Sequence, residues 1–181
     1  MRPGSGSGAG PTDVTDPGQL RQIFGSFATG ITVVTVGGDA PHGMTANSFA
    51  SVSLDPPLVL VCVADDALMH KVLEAADHFG ISILAAGQDQ VARHFSDGSR
   101  PQGLRQFDAV RWRPGPATGA PLIDDALAHL ECAMWRRYDG GDHTIFLGEV
   151  VRMRRRPDQD ALLFAGGRYA RLAPHRREAV A

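Results

Sequence analysis

Lysine is almost absent from this chain. Lys71 stands alone among 18 basic residues, the rest being arginine. That bias identifies no function, but the overall balance excludes several. The net charge is only −2, so no global field recruits nucleic acid or an anionic membrane. The arginines at 152 and 154–156 have no interleaved aromatic residues and read as a solvated strand end and turn, not a nucleic-acid patch. Only two cysteines occur, Cys62 and Cys132, both within apolar runs. They read as buried free thiols, and two cysteines in a chain of this size argue against a disulfide framework. Seven histidines are present, yet no HxxxH or CxxC spacing groups them as metal ligands. Asp124-Asp125 likewise lacks a partner motif for a divalent metal and reads as a helix or turn start. No apolar run approaches the ~20 residues of a transmembrane helix. The opening MRPGSGSGAGPTD has no hydrophobic signal core. A cytoplasmic protein is the expectation.

What is present is ordinary in bulk and particular in one place. The 181 residues are 43% hydrophobic and 21% charged, which suits one globular domain with an adequate core. Residues 1–14 are Gly/Ser-rich and predict a flexible tail, 15–174 a single domain, and 175–181 a polar C-terminal tail. The chain is organised around Gly43 to Val63, GMTANSFASVSLDPPLVLVCV. Its first half is small and hydroxylic; Leu58 to Val63 is apolar and β-branched, as a buried strand would be. Asp55-Pro56-Pro57 marks a turn or edge between two strands, because proline cannot donate to a ladder. A lip of Thr, Ser and Asn at one end lets a polar or anionic small ligand approach main-chain N–H groups. Small hydroxylic residues also fill tight sheet crossings with no ligand at all.

The remaining elements follow from pattern. Asp16-Pro17 starts an amphipathic helix carrying Leu20, Ile23, Phe24 and Phe27 and ending near Gly30. Strands are predicted over 31–36, 79–84, 110–113, 127–138, 143–154 and 162–169, with helices over 67–76 and 89–95. Residues 96–106 and 114–121 read as loops. Leu127 to Tyr138 alternates imperfectly, with Leu130, Cys132 and Met134 on one side and His129, Glu131 and Ala133 on the other. Many strands, few short helices and tight turns favour a mainly β, closed or nearly closed antiparallel barrel of Greek-key character.

Two motifs carry a resemblance. GMTANSFASVSLDPPLVLVCV and GDHTIFLGEV (Gly141 to Val150), in order and suitably separated, are similar to the flavin reductase components of two-component flavin-dependent monooxygenases. These are flavin reductase-like proteins with an FMN-binding split β-barrel. The resemblance runs from about Phe24 to Leu172. It implies that Thr45, Ala46, Asn47 and Ser48 contact the flavin ring and ribityl chain, with Ser51 and Ser53 close by. It implies that Cys62-Val63 leads to a loop on the phosphate side, and that Ala85 to Phe95 forms a helix start beside the phosphate. Ala85, Arg93 and Phe95 are therefore cofactor-side candidates, Phe95 serving the core as well. His143 is implied on the nicotinamide side, and Tyr169, in GRYARL, near the flavin. Three departures stand out, the first being the extended Gly/Ser tail, which has no counterpart with an assigned role. After Val63 relatives carry an Asp, a basic residue and a nearby Ser, where this chain has Ala64-Asp65-Asp66-Ala67. Ser82 stands where relatives often have Asn.

The implied activity is transfer of hydride from NADH or NADPH to FMN or FAD, with reduced flavin released to a separate monooxygenase, by a homodimer. The cofactors carry that chemistry; the protein orients two rings face to face. An oxidase holding FMN tightly, or a flavin-binding protein without turnover, is the alternative reading.

Overall fold

The computed structural model describes residues 14–173, so most of both predicted tails lies outside the described residues. Helix α1 (Pro17–Gly25) begins as its sequence dictates. Asp16 Oδ1 accepts from the N–H groups of Gly18 (2.8 Å) and Gln19 (3.3 Å), and Pro17 occupies the first turn. It stops at Gly25, before the expected end near Gly30, because Thr29–Gly30 pairs as a short strand, β1.

The chain then builds β2 (Thr32–Val36), β3 (His42–Ala46), β4 (Ala50–Leu54), β5 (Pro57–Ala64), α2 (Leu68–Glu74), β6 (His78–Ile83) and α3 (Asp89–Ser96). A 3-10 turn at Gly103–Phe107 leads to the β7 (Trp112–Pro114) and β8 (Pro121–Ile123) hairpin. The long hairpin β9 (Ala128–Asp139) and β10 (His143–Arg155) follows, then β11 (Leu163–Ala165) and β12 (Arg168–Ala170). Seven strands form one antiparallel sheet in the order β3-β2-β6-β9-β10-β5-β4. Its two edge strands, β3 and β4, are consecutive in the chain, joined only by Asn47-Ser48-Phe49. Four residue steps span at most about 14 Å, so the sheet curls until its edges face each other. The slit in the barrel falls at the residues of the hydroxylic lip.

Strand β2 shows how the core divides. All five of its residues are buried. Val34 and Val36 point into the barrel with Val61, Phe79, Ile81 and Phe146. Val33 and the preceding Ile31 face a second cluster outside it with Phe95, Phe107, Ile123 and Leu162. Each fully buried Phe in these clusters contributes about 1.5–3 kcal/mol relative to exposure. Gly148 lets the interior close. A Cβ there would press on the Phe79 ring and lie 2.8 Å from the Cys132 Cβ.

Several expectations are corrected. The organising stretch yields three strands instead of two, because the sheet needs the chain to leave β3 and re-enter at its far edge as β4. The single strand expected over 162–169 is a hairpin turned by Gly166 and Gly167, both at positive φ. The loop over 114–121 closes β7 on β8. The polar side of β9 is covered. Glu131, 2% exposed, accepts from the N–H groups of Ala117 and Thr118 at 2.8 Å and from Thr118 Oγ1 at 3.0 Å. The buried His129 donates from Nε2 to Ile123 O (2.7 Å). Asp125 is a turn residue at φ 61° that pairs with Arg111 and Arg156, so one of the arginines read as solvated is tied to the body. Finally, α1 has no buried residue. Ile23 and Phe24 are 62% and 70% exposed, and Phe27 just beyond the helix 76%, so this apolar face is not covered by the described residues.

Candidate functional site

Strand β5 outlasts its neighbour. Pairing of β4 with β5 ends at Ala50 opposite Leu60, while β5 continues beside β10, with Cys62 opposite Ile145. The main-chain groups of Cys62 that face the slit therefore have no strand partner, and an unpaired buried backbone group is costly. Ser48 takes that place. Its hydroxyl donates to Cys62 O (2.8 Å) and accepts from Cys62 N–H (3.1 Å). The hydroxyl proton is thus committed, and one lone pair remains to accept from a ligand N–H.

Beside this pair opens a cavity of about 610 Å³ between α1 and the β5–β10 ladder. Ser48, Cys62 and His143 line it, with Ile145 behind and Leu20, Arg21 and Phe24 of α1 over it. His143 opens β10 after the Gly140-Gly141 turn. Its Nδ1 lies 2.7 Å from Asp142 Oδ1. With the carboxylate accepting from Nδ1–H, Nε2 is the ring nitrogen left for a ligand. That hydrogen bond, with the imidazole charge and a smaller contribution from the Arg21 guanidinium, holds the Asp142 carboxyl below the usual range. Apolar walls with a few polar groups at the rim suit a flat heteroaromatic ring.

The first residue of the acidic departure, Asp65, has a structural role. Asp65 N–H donates to Asp142 O (3.2 Å), and Asp65 Oδ1 accepts from Thr144 Oγ1 (3.0 Å), which itself accepts from His70 Nε2 (2.9 Å). His70 Nε2 also lies 3.4 Å from Asp65 Oδ1. The carboxylate lashes the β5–α2 connection to the start of β10, beneath His143.

The other candidates lie elsewhere. Thr45 and Phe95 border a second cavity of about 360 Å³, together with His42, Ala67, Leu68 and Arg100. Thr45 Oγ1 donates to Ala92 O in α3 (2.7 Å). Phe95 is fully buried against Phe107, ring centroids 5.4 Å apart. Arg93 and Tyr169 border a third cavity of about 340 Å³, the guanidinium 4.9 Å from the ring centroid. Ala46 is buried and its carbonyl accepts from Thr32 Oγ1 (2.9 Å); Val63 is core. Ala85 is buried with its N–H given to Gln88 Oε1 (3.0 Å). Asn47 is exposed at the slit and Ser51 on β4, while Ser53 Oγ accepts from Asp55 N–H (3.2 Å). Ser48, Cys62 and His143 are thus brought together, Thr45 with Phe95 separately, and Arg93 with Tyr169 separately again. Sequence reasoning missed Leu20, Arg21 and Phe24 as a roof, and Asp142 as the partner of His143. The adjacency of Asp142 and His143 in a turn was the available signal for the latter; nothing local marked the former.

Residues 24–173 match the model of the flavin reductase like domain. The chain belongs to that family. A NADH-dependent FAD reductase of Streptomyces globisporus is 59% identical over 169 residues, covering 92% of this chain and 93% of that protein. A solved Streptomyces globisporus NADH:FAD oxidoreductase, in complex with NAD and FAD fragments, superimposes with a TM-score of 0.88 at 58% identity, covering 92% of this chain and 98% of that one. BorF, the flavin reductase component of a bacterial two-component tryptophan halogenase, superimposes at 0.84 with 54% identity, covering 88% and 100%. The mainly β split barrel is the fold of these flavin reductases, and the chain is an oxidoreductase of this kind.

Proposed function

We propose that this flavin reductase-like protein transfers hydride from NADH to FAD or FMN and releases the reduced flavin to a separate monooxygenase or halogenase. The carrying observation is the cavity that holds Ser48, Cys62 and His143 under α1. The similar NADH-dependent FAD reductase and NADH:FAD oxidoreductase support NADH as the donor and FAD as an acceptor, and favour turnover over tight storage of flavin.

Bound together, the nicotinamide supplies a hydride donor and the flavin its acceptor. The chain supplies position. Ser48, its proton already given to Cys62 O, accepts a hydrogen bond from a ring N–H and sets the edge of the flavin. The hydroxyls of Thr45 and Ser48 both donate to main-chain carbonyls, so each has only acceptor capacity left. Ile145, Leu20 and Phe24 keep water from the stacked rings. His143, oriented by Asp142, presents Nε2 to the nicotinamide carboxamide. The exposed Ile23, Phe24, Phe27, Trp135 and Tyr138 support a homodimer in which a second copy covers them. Two free thiols and the use of NADH support a cytoplasmic setting. No helix of the described residues is long and apolar enough to cross a membrane.

Steady-state oxidation of NADH and NADPH, each with FMN and FAD, tests the reading. Turnover with NADH that requires added flavin is expected. Absence of flavin-dependent oxidation with either nicotinamide, or a protein purified with stoichiometric flavin that it does not release, would defeat it.

A further inference from the structure

A fourth cavity, of about 460 Å³, opens at the other end of the long hairpin. Pro114, Pro116 and Leu122 of the β7–β8 hairpin give it an apolar wall. His129 and Glu131 line it from β9, and Arg152 and Arg154 from β10. Arg152 lies nine residues beyond His143, about 30 Å of strand, so this cavity is separate from the one that holds His143.

A bulge puts the arginines there. Phe146 belongs to the barrel core and Val150 packs against it. Strict alternation would send residues 152 and 154 the same way. The pairing of β10 with β9 instead slips between Val150 and Arg152, so that Arg152 falls opposite Glu131 and Arg154 opposite His129. The extra residue turns both arginines onto the outer face of the sheet.

Charges and lone pairs in this cavity do not cancel. Arg113, also on its wall, pairs with Asp124 (3.1 Å). Arg152 Nε lies 3.9 Å from Glu131 Oε1. Arg154 pairs with no carboxylate among the described residues. Glu131 spends Oε2 on Ala117 and Thr118, while Oε1 has no hydrogen bond among the described residues. His129 is 4% exposed and donates from Nε2 to Ile123 O, which leaves Nδ1 as an acceptor. Burial, and to a smaller extent the charges of Arg113, Arg154 and Arg156, lower its pKa, so the ring is neutral and Nδ1 keeps its lone pair.

An unpaired cation thus stands beside two acceptors that lack donors. A plain anion would satisfy Arg154 and leave Oε1 and Nδ1 facing further lone pairs. A plain amine would satisfy the acceptors and be repelled by the arginines. A carboxylate and an ammonium on one carbon satisfy both, and an apolar side chain covers the prolines and Leu122.

We propose that this cavity binds a free α-amino acid with an apolar side chain. Arg154 and Arg152 take its carboxylate, and Glu131 Oε1 and His129 Nδ1 take its ammonium. The site stands independently of the flavin reductase reading.

L-Phenylalanine is the probe. Phenylpropionate, which lacks the ammonium, and phenethylamine, which lacks the carboxylate, are its controls. Each is titrated calorimetrically into the wild type, with and without excess FAD, and into Arg154→Gln. L-Phenylalanine is expected to bind saturably and to be unaffected by FAD. Each control should bind at least about tenfold more weakly, the scale of one charge-assisted hydrogen bond. Arg154→Gln should raise the Kd for L-phenylalanine by a similar factor and leave flavin-dependent NADH oxidation as in the wild type. Absence of saturable binding, displacement by FAD, or an unaltered Kd in Arg154→Gln overturns the assignment. Phenylpropionate binding as well as L-phenylalanine also overturns it, by showing a site for anions alone. Should Arg154→Gln fail to fold, the His129 ring resonances of the wild type decide. Their shift on adding L-phenylalanine supports the site, and their indifference overturns it.

Discussion

Asp142 fixes which nitrogen of His143 faces the cavity. The 2.7 Å contact to Nδ1 commits that nitrogen as a donor, so Nε2 is the atom presented to a ligand. His143→Ala removes Nε2 without touching Ser48 or Cys62. The KM for NADH should rise about tenfold, the size of one lost hydrogen bond, with flavin affinity unchanged. A flavin titration beside the kinetics checks this, and unaltered kinetics would remove His143 from the nicotinamide side.

Ser48 serves the sheet before it serves a ligand. Ser48→Ala leaves both the N–H and the carbonyl of Cys62 without their partner. The expected loss of stability is about 1–3 kcal/mol for an unsatisfied buried group, read as a lower denaturant midpoint, accompanied by weaker flavin binding. Ser48→Thr keeps the hydroxyl and should recover most of the midpoint. A Ser48→Ala protein as stable as the wild type would show that water replaces the hydroxyl at no cost.

The protein should lose stability in mild acid because of His42. Its pKa is about 4 when folded, against 6.5 for an ordinary histidine, burial being the larger cause and Arg100 the smaller. Between those values the unfolded chain binds a proton that the folded chain refuses. Stability therefore falls as pH drops from about 6.5 to about 4, and this group adds nothing further below that. His129, lowered mainly by burial, acts in the same direction. Denaturant midpoints measured across this range should fall less steeply in His42→Gln. Equal slopes in variant and wild type would place the acid sensitivity elsewhere.

Some of this was legible in the residues themselves. The Asp16-Pro17 start, the β-branched run of β2 and the Gly140-Gly141 turn are local signals, and each lies where the pattern put it. The gap between β3 and β4 was not legible. Asn47-Ser48-Phe49 is as compatible with a continuous strand as with a crossing from one sheet edge to the other, and only the pairing of the other strands decides. The burial of His129 and Glu131 was hidden too, since it depends on the preceding β7–β8 hairpin, with residues 117–118 in its loop, folding back over β9. Arg100 was passed over because 96–106 looked like a polar loop, yet Gln106 within it is fully buried. A glutamine is an inconspicuous letter, and its burial depends on His42, Gly43 and Pro41 being opposite.

The roof and walls of the large cavity come from opposite ends of the polypeptide. Helix α1 supplies one side and β10 the other, and the last hairpin holds the end of α1, where Gly166 N–H donates to Gly25 O (2.7 Å). A ribosome must therefore have made the chain from α1 through the first residues of β10 before this cavity exists.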